Sequence, residues 1–143
     1  MELLARAARD GVTPDLTALV AAIPYCAWLD LSVSQEQDKI VLQMPFADKL
    51  IGNPIIRAIH GGVIGSLLET AAIVQTVWIT RVSSIPKPVD ITIDYLRTGR
   101  AVTSYASAQL ARQGRRVVNV HAWMWQDDAD KPIAALRGHF LLG

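Results

Sequence analysis

The sequence predicts an α+β domain, a long buried helix against an antiparallel sheet in the order β-β-α-β-β-β-β, preceded by an N-terminal helix. Three observations carry this. Residues 62–80 contain no proline and one charge, Glu69. Val63, Leu67, Val74 and Trp78 line one side, and Ile64, Leu68, Ala71 and Ile79 another. A helix apolar all round is a buried one. Next, Val89, Ile91, Ile93 and Tyr95 alternate strictly with Asp90, Thr92 and Asp94, the two-residue period of a strand. Finally, residues 102–112, 115–126 and 133–142 read as long strands separated by the turn signals Gln113-Gly114 and the polar run 127–131.

In chain order, residues 3–9 form a short helix before Gly11. Thr13-Pro14 is a helix start, a capping hydroxyl followed by proline at the first helical position. Leu16, Leu19, Val20 and Ile23 then make one apolar stripe, stopped by Pro24. Residues 1–24 are thus a helical extension of a single domain spanning 1–143. Ala27, Leu29, Leu31 and Val33 alternate as a strand, as do Ile40, Leu42 and Met44, and the polar gap 35–39 makes them a hairpin. Pro54 and Gly61-Gly62 mark a loop before the long helix. After it, Pro86 and Pro88 set an extended entry to the next strand. One sheet face cannot cover a helix that is apolar all round. The sheet must curl around it, a second copy must cover the rest, or both; a homodimer with paired helices is expected.

Composition narrows the function classes. A net charge of +1 points to neither nucleic acid nor an anionic membrane. The single cysteine, Cys26, rules out an internal disulfide framework and fits a reducing compartment. Glu2, Arg6, Arg9 and Asp10 interrupt any signal-peptide core, so a soluble cytoplasmic protein is expected. The long helix is a poor membrane span because Ser66, Glu69, Thr70, Gln75 and Thr76 interrupt it.

Glu69 is the residue to explain. Gly62, Gly65, Ser66, Ala72, Ile73 and Thr76 share its face at helical spacing, and that face is mostly small. A buried carboxylate is expensive unless paired or hydrogen-bonded. It is either a structural acid satisfied by a nearby donor or an acid facing a ligand or a second helix.

The run Asn53…His60-Gly61-Gly62…Glu69, with Asp94-Tyr95-Leu96-Arg97 and the basic hairpin Arg112-Gln113-Gly114-Arg115-Arg116, resembles the hotdog-fold acyl-CoA thioesterases. Within these it resembles the phenylacetyl-CoA-thioesterase-like branch, over residues 27–142. The resemblance implies a curved antiparallel sheet wrapping one helix and dimerised into a continuous sheet. It implies hydrolysis of an aryl- or short- to medium-chain acyl-CoA to carboxylic acid and CoA, with no cofactor and no metal. Asn53 matches an upstream polar residue that orients water or the substrate carbonyl, the alternative being a loop-capping asparagine. The branch usually carries Asp where this chain has Glu69; the related hydroxybenzoyl-CoA thioesterases use Glu. Pro88 stands where members often place a hydroxyl, leaving Ser84, Thr92 and Thr76 as substitutes.

Chemistry assigns the remaining roles. A thioester carbonyl needs donors where its oxygen gains charge and a base or nucleophile at its carbon. Free N–H groups at the helix start, near Gly61 and Gly62, suit the first task, and the helix dipole assists. Glu69 suits the second. Eight residues at about 1.5 Å each separate Gly61 from Glu69 by roughly 12 Å, too far for one carbonyl. Two antiparallel helices bring Gly61 of one chain to Glu69 of the other. His60 is accessory, bonding to the thioester oxygen or to loop backbone. Gly62, Ser66 and Ile73 are expected at the substrate, with Ile56, Ile59 and the N-terminal helix lining its pocket. Arg97, Arg115 and Arg116, with Arg100 and Arg112, suit the CoA phosphates, the alternative being a solvated hairpin tip. His121 and His139 have no third ligand at metal spacing. Trp123 and Trp125 share the outer sheet face with Asn119 and His121, which predicts a dimer of dimers stacked through the sheets. Two other functions are kept: a hydratase or dehydratase of the same fold, which normally has a longer His-to-acid spacing, and a non-catalytic acyl-CoA-binding module.

Overall fold

The structure, a computed structural model, describes residues 2–143. In chain order the helices are α1 (Glu2–Asp10), α2 (Leu16–Ala22), α3 (Pro24–Trp28) and α4 (Gly61–Thr80). Strands β1 (Ser32–Glu36), β2 (Lys39–Met44), β3 (Ile51–Asn53) and β4 (Ala58–Ile59) precede α4. Strands β5 (Lys87–Tyr95), β6 (Ser104–Gln113), β7 (Val117–Trp125) and β8 (Ala134–Leu141) follow it. Six strands form one antiparallel sheet in the order β1-β2-β6-β7-β8-β5, while β3 and β4 make a separate two-stranded ladder. The sheet curves around α4, as the alternation and the all-round apolar helix predicted.

Packing follows the two-residue period. Val118, Val120, Ala122 and Met124 of β7 and Leu136 and Phe140 of β8 are buried against α4. The opposite face of β7 carries Trp123 and Trp125, half-buried because Tyr105 stacks on Trp125 and His121 packs edge-on to Trp123. On α4, Leu67, Leu68, Ala72, Val74 and Val77 are fully enclosed. The helix is long and apolar enough to cross a membrane, yet most of it is buried inside this fold. Its buried Gln75 is a clamp: Oε1 accepts from the Ile40 N–H at 3.1 Å and Nε2 donates to the Asp38 carbonyl at 2.8 Å. An unmatched amide would be costly there; this one ties the β1–β2 turn to the helix.

Four local expectations are refined. The α2 helix starts at Leu16, because Asp15 rather than Thr13 is its cap, Oδ1 accepting from the Ala18 N–H at 3.0 Å. α2 ends before Pro24 as expected, but Pro24 also sits at the first position of a further helix, α3, where its fixed φ favours a new turn. Residues 27–28 are therefore helical, and Cys26 and Leu29 point inward at helical spacing. Asp30, at φ 56°, then reverses the chain into β1, so the first strand begins at Ser32 and only Gln37 and Asp38 turn the hairpin. Similarly, the β6–β7 connection is the three residues Gly114, Arg115 and Arg116, with the Gly114 N–H donating to the Val117 carbonyl at 2.9 Å.

Candidate active site

The start of α4 is held from both sides. The His60 N–H donates to the Leu50 carbonyl at 2.8 Å, which sets the chain entering the helix. Gly52 lies directly against it: a Cβ at that position would stand 2.6 Å from the His60 Cα, so only glycine admits this approach. His60 is the N-cap, its Nδ1 accepting from the Gly62 N–H at 2.8 Å. The Gly61 N–H has no hydrogen-bond partner among the described residues. Of the two amides expected to face a ligand, Gly62 is thus engaged and Gly61 is free. From β5, the Tyr95 hydroxyl donates to the Gly61 carbonyl at 2.9 Å and pins this first turn. The result is a rigid amide donor at the positive end of a five-turn helix.

Glu69 lies two turns further on and is half-buried. Burial pushes its carboxyl above the ordinary glutamate value, and no cation or donor among the described residues offsets that. It opens onto a cleft of about 240 Å³ lined by Ile23, Tyr25, Cys26, Ser66, Thr70, Ile73 and Ile85. Hollows of about 780 Å³ and 770 Å³ lie elsewhere, at the β6–β7 hairpin and beside the β1–β2 turn, and neither includes Glu69 or Gly61 among its lining residues. Of these three hollows, the smaller is the one lined by an acid whose pKa burial raises, which makes it the candidate site.

The comparisons with known proteins bear on this arrangement. Residues 52–142 match the model of a family described as the acyl-CoA thioesterase N-terminal domain. The chain belongs to this acyl-CoA thioesterase family. It is a thioester hydrolase of hotdog fold. A solved structure from Chromobacterium violaceum is 36% identical over 100% of this chain and 98% of its own, with a TM-score of 0.75. One from Pseudomonas aeruginosa is 28% identical, covering 90% and 96%, at TM-score 0.78. The E. coli PaaI protein from the phenylacetic acid degradation operon shares the fold at TM-score 0.78, with 22% identity over 98% of this chain and 96% of that one. No curated protein matched.

In this thioesterase the other expected site residues are dispersed. Ser66 and Ile73 line the Glu69 cleft, and Gly62 caps the exposed end of the same helix stripe. Ile56 and Ile59 do not line it: Ile56 projects from the loop, 61% exposed, and Ile59 is buried beneath Gly99. Their places are taken by Tyr25 and Cys26 of α3 and by Ile85, which follows α4. Tyr25 and Cys26 escape the sequence reading because the segment after Pro24 reads as the approach to a strand, the available signal being the i, i+3 spacing of apolar Cys26 and Leu29; Ile85, between α4 and β5, carries no such signal. Asn53 is exposed, and its Oδ1 accepts from the Ile55 N–H at 3.1 Å in a local turn. Thr92 faces outward beside Arg137, and Thr76 is buried with its hydroxyl donating to the Ala72 carbonyl at 2.8 Å. Neither Thr92, Thr76 nor Ser84 lines the cleft; the hydroxyl-bearing residues that do are Tyr25, Ser66 and Thr70.

The arginines do not gather within one protomer. Arg97 donates to the Pro132 carbonyl at 2.6 Å, and Arg100 is paired with Asp127. Both lie at the sheet end where Tyr95 pairs Ala134, whereas Arg112 pairs with Asn119 near the opposite end and Arg115 and Arg116 sit beyond the row joining Gln113, Val118 and Phe140. The two groups are roughly 25 Å apart along the strands. His121 and His139 are likewise engaged separately, His139 Nδ1 lying 2.9 Å from Asp90 Oδ1 and His121 packing on Trp123.

Proposed function

We propose that this enzyme hydrolyses an aryl- or short- to medium-chain acyl-CoA at a site shared by two protomers. The observation that carries the reading is that the free Gly61 N–H and the unpartnered Glu69 stand on one straight helix, eight residues and so roughly 12 Å apart. An antiparallel second copy of α4 brings one chain's Gly61 beside the other's Glu69. Two features support that pairing: the stripe Gly62, Ser66, Glu69, Ile73 is the open side of α4, and edge strand β5 exposes Val89 and Tyr95.

In this scheme the thioester oxygen accepts from the Gly61 N–H as negative charge grows on it, and Tyr95 keeps that amide fixed. Glu69 of the partner chain takes a proton from water, hydroxide adds to the carbonyl carbon, and the C–S bond breaks. The CoA thiolate then takes up the proton, leaving a carboxylic acid and CoA. Direct attack by Glu69, giving an acyl anhydride that water opens, is the other route; single turnover in ¹⁸O-water, with mass analysis of the Glu69 peptide, separates them. Arg115 and Arg116 on the open β6–β7 hairpin, together with Arg97 of the second chain, suit the CoA phosphates. Asn53 orients water or the carbonyl once its turn is next to substrate. A reducing cytoplasm suits the buried free thiol of Cys26. The outer Trp123–Trp125 face suits a dimer of dimers.

Mixing two dead variants tests the shared site. Gly61→Pro deletes the donor N–H at a first helical position that tolerates proline, and His60 at φ −59°, ψ 133° already has the conformation a following proline requires. Loss of one such donor lowers kcat by about 10²–10³. Glu69→Ala removes the acid. Exchange of the two homodimers should restore activity, because each hybrid holds one intact site and one doubly broken one. No recovery after exchange, with hybrids proven by mass, would show that the two groups act within one chain.

A further inference from the structure

Glycine is a residue poorly able to hold a helix by itself, and the first turn of α4 has two in succession, Gly61 and Gly62. Packing does not require the first of them: a Cβ at position 61 would stand 3.4 Å from the Tyr95 ring, an ordinary van der Waals contact. The free Gly61 amide thus sits on a pliable step, and its direction depends on what holds that step from outside. The Gly61–Gly62 peptide is held at both ends. Its carbonyl accepts from the Tyr95 hydroxyl at 2.9 Å, and its N–H donates to His60 Nδ1 at 2.8 Å. The two bonds run through one peptide group, so each polarises the other. The preceding peptide, which carries the Gly61 N–H, is held through its own carbonyl. The His60 C=O accepts from the Val63 N–H at 3.0 Å and the Ile64 N–H at 3.2 Å.

Strand parity brings Tyr95 to this point. Ile93 lies over Gly65 as Tyr95 lies over Gly61. Two strand residues advance roughly 6.6 Å and four helix residues about 6 Å, so the two periods match here. The backbone beyond the tyrosine is anchored, because the Leu96 and Arg97 N–H groups both donate to the Ile133 carbonyl, at 2.8 and 3.0 Å. Ile91 and Ile93, on the same face of β5, have no donor to offer the helix. Among the described residues β5 is an end strand of the sheet, paired with β8 alone, and Tyr95 is 56% exposed in one protomer. Water competes for its hydroxyl until a second copy covers that edge.

We infer that Tyr95 is a positioning residue of the half-site that carries the donor, its hydroxyl transmitting the state of the β5 edge to the Gly61 amide. This rests on the shared-site thioesterase reading and adds to it a route by which association of two copies tightens the donor. It also assigns Tyr95 to the Gly61 half of the site, not to the Glu69 half of the same chain.

Tyr95→Phe keeps the ring on Gly61 and removes only the hydroxyl. Its kcat on phenylacetyl- or hexanoyl-CoA should fall about tenfold, less than the 10²–10³ of losing a donor outright, with KM, thermal unfolding and sedimentation as in wild type. 4-Aminophenylalanine at position 95 returns an N–H donor to the same place and should restore most of kcat. Exchange of homodimers tests the half-site. Tyr95→Phe mixed with Glu69→Ala should give hybrids with one site at the wild-type rate, since the intact Tyr95–Gly61 half then meets an intact Glu69. Mixed with Gly61→Pro it should give no recovery. Protein labelled with ¹⁵N-glycine supplies a readout besides activity: the order parameter of the Gly61 amide should drop in Tyr95→Phe while that of Gly65 stays. An unchanged kcat, or a lowered kcat with the Gly61 amide as rigid as in wild type, overturns the assignment. So does recovery with Gly61→Pro in place of Glu69→Ala. A Tyr95→Phe protein that unfolds or dissociates while the 4-aminophenylalanine protein does not would show a merely structural role and overturns it too. No hydrolysis of any thioester by the folded wild type instead removes the thioesterase reading, and the amide measurement alone then decides whether Tyr95 orders Gly61.

Discussion

The imidazole of His60 accepts the Gly62 amide proton through Nδ1 at 2.8 Å, so the neighbouring Gly61 amide is the donor that the helix start presents. In the proposed mechanism the histidine acts on substrate through the backbone it holds. His60→Ala should lose one N-cap, about 1 kcal/mol of stability, and should also lower turnover, because the first turn carrying the Gly61 N–H loosens. Asn is a good N-cap, so His60→Asn should recover stability and most of the turnover. Urea unfolding and acyl-CoA hydrolysis of the three proteins decide it. Full activity in His60→Ala would disconnect the cap from the chemistry.

The Gly52–His60 contact gives the second prediction. A methyl group at position 52 would stand 2.6 Å from a backbone carbon, which no rotamer change relieves. Gly52→Ala should therefore destabilise by about 1–3 kcal/mol, the range for overpacking, and displace the helix start. Denaturant midpoints compared with a neutral surface change such as Gln109→Ala measure it. A midpoint within error of wild type would show that β3 moves freely away from His60.

These two contacts mark the boundary of what the sequence reveals. The rod of α4 and the strands that wrap it were legible because hydrophobic period is a local property, visible in Val89–Tyr95 and in residues 62–80. Glu69 stood out for the same reason, as a lone charge in an apolar run. The α3 turn was not legible, since Ala27, Leu29, Leu31 and Val33 alternate by coincidence across a helix end and a left-handed Asp30. That single misreading hid Tyr25 and Cys26 from the cleft. The cap preference was hidden too: whether His60 bonds Gly62 or a ligand depends on a side-chain torsion that spacing does not encode. The arginines looked like one cluster because closeness in sequence says nothing about which end of a nine-residue strand each one reaches.

Glu69 has a pH signature. Desolvation raises its folded-state pKa above the unfolded value. The native state then holds a proton at pH values where the unfolded chain has released it. Stability from this group is complete below the unfolded pKa and is lost as pH rises through the folded pKa. Glu69→Gln should accordingly be more stable than wild type at neutral pH, with the difference shrinking toward pH 4. Catalysis runs oppositely, since a base or nucleophile must be ionised. The acid limb of kcat/KM should fall above the ordinary glutamate range, and Glu69→Gln should lower turnover by about 10²–10⁴. Unfolding midpoints from pH 4 to 8 and a kcat/KM profile over the same span test both signs. A variant that loses stability at neutral pH would mean that the carboxylate is held by a donor.

The open edge of β5 supplies the last prediction. Ile93 packs on Gly65, its Cδ1 3.0 Å from where a Cβ would stand, and Gly65 is midway between Gly61 and Glu69. If two α4 helices pair with Gly61 facing Glu69, their symmetry axis passes near Gly65, and β5 meets its own copy near Ile93. Thr92 is exposed on the outer face beside that axis. Thr92→Lys would set two like charges against each other there, which costs roughly 0.2–1 kcal/mol per opposed pair, and should weaken self-association several-fold without touching the core. Sedimentation should show a stable dimer, or a pair of such dimers, for wild type and a concentration-dependent mixture containing monomer for Thr92→Lys. Turnover per protomer in the variant should fall on dilution and return on concentration, following the dimer fraction, because neither protomer holds Gly61 and Glu69 close enough to one carbonyl. Constant turnover per protomer through dissociation would show that a single chain completes the site.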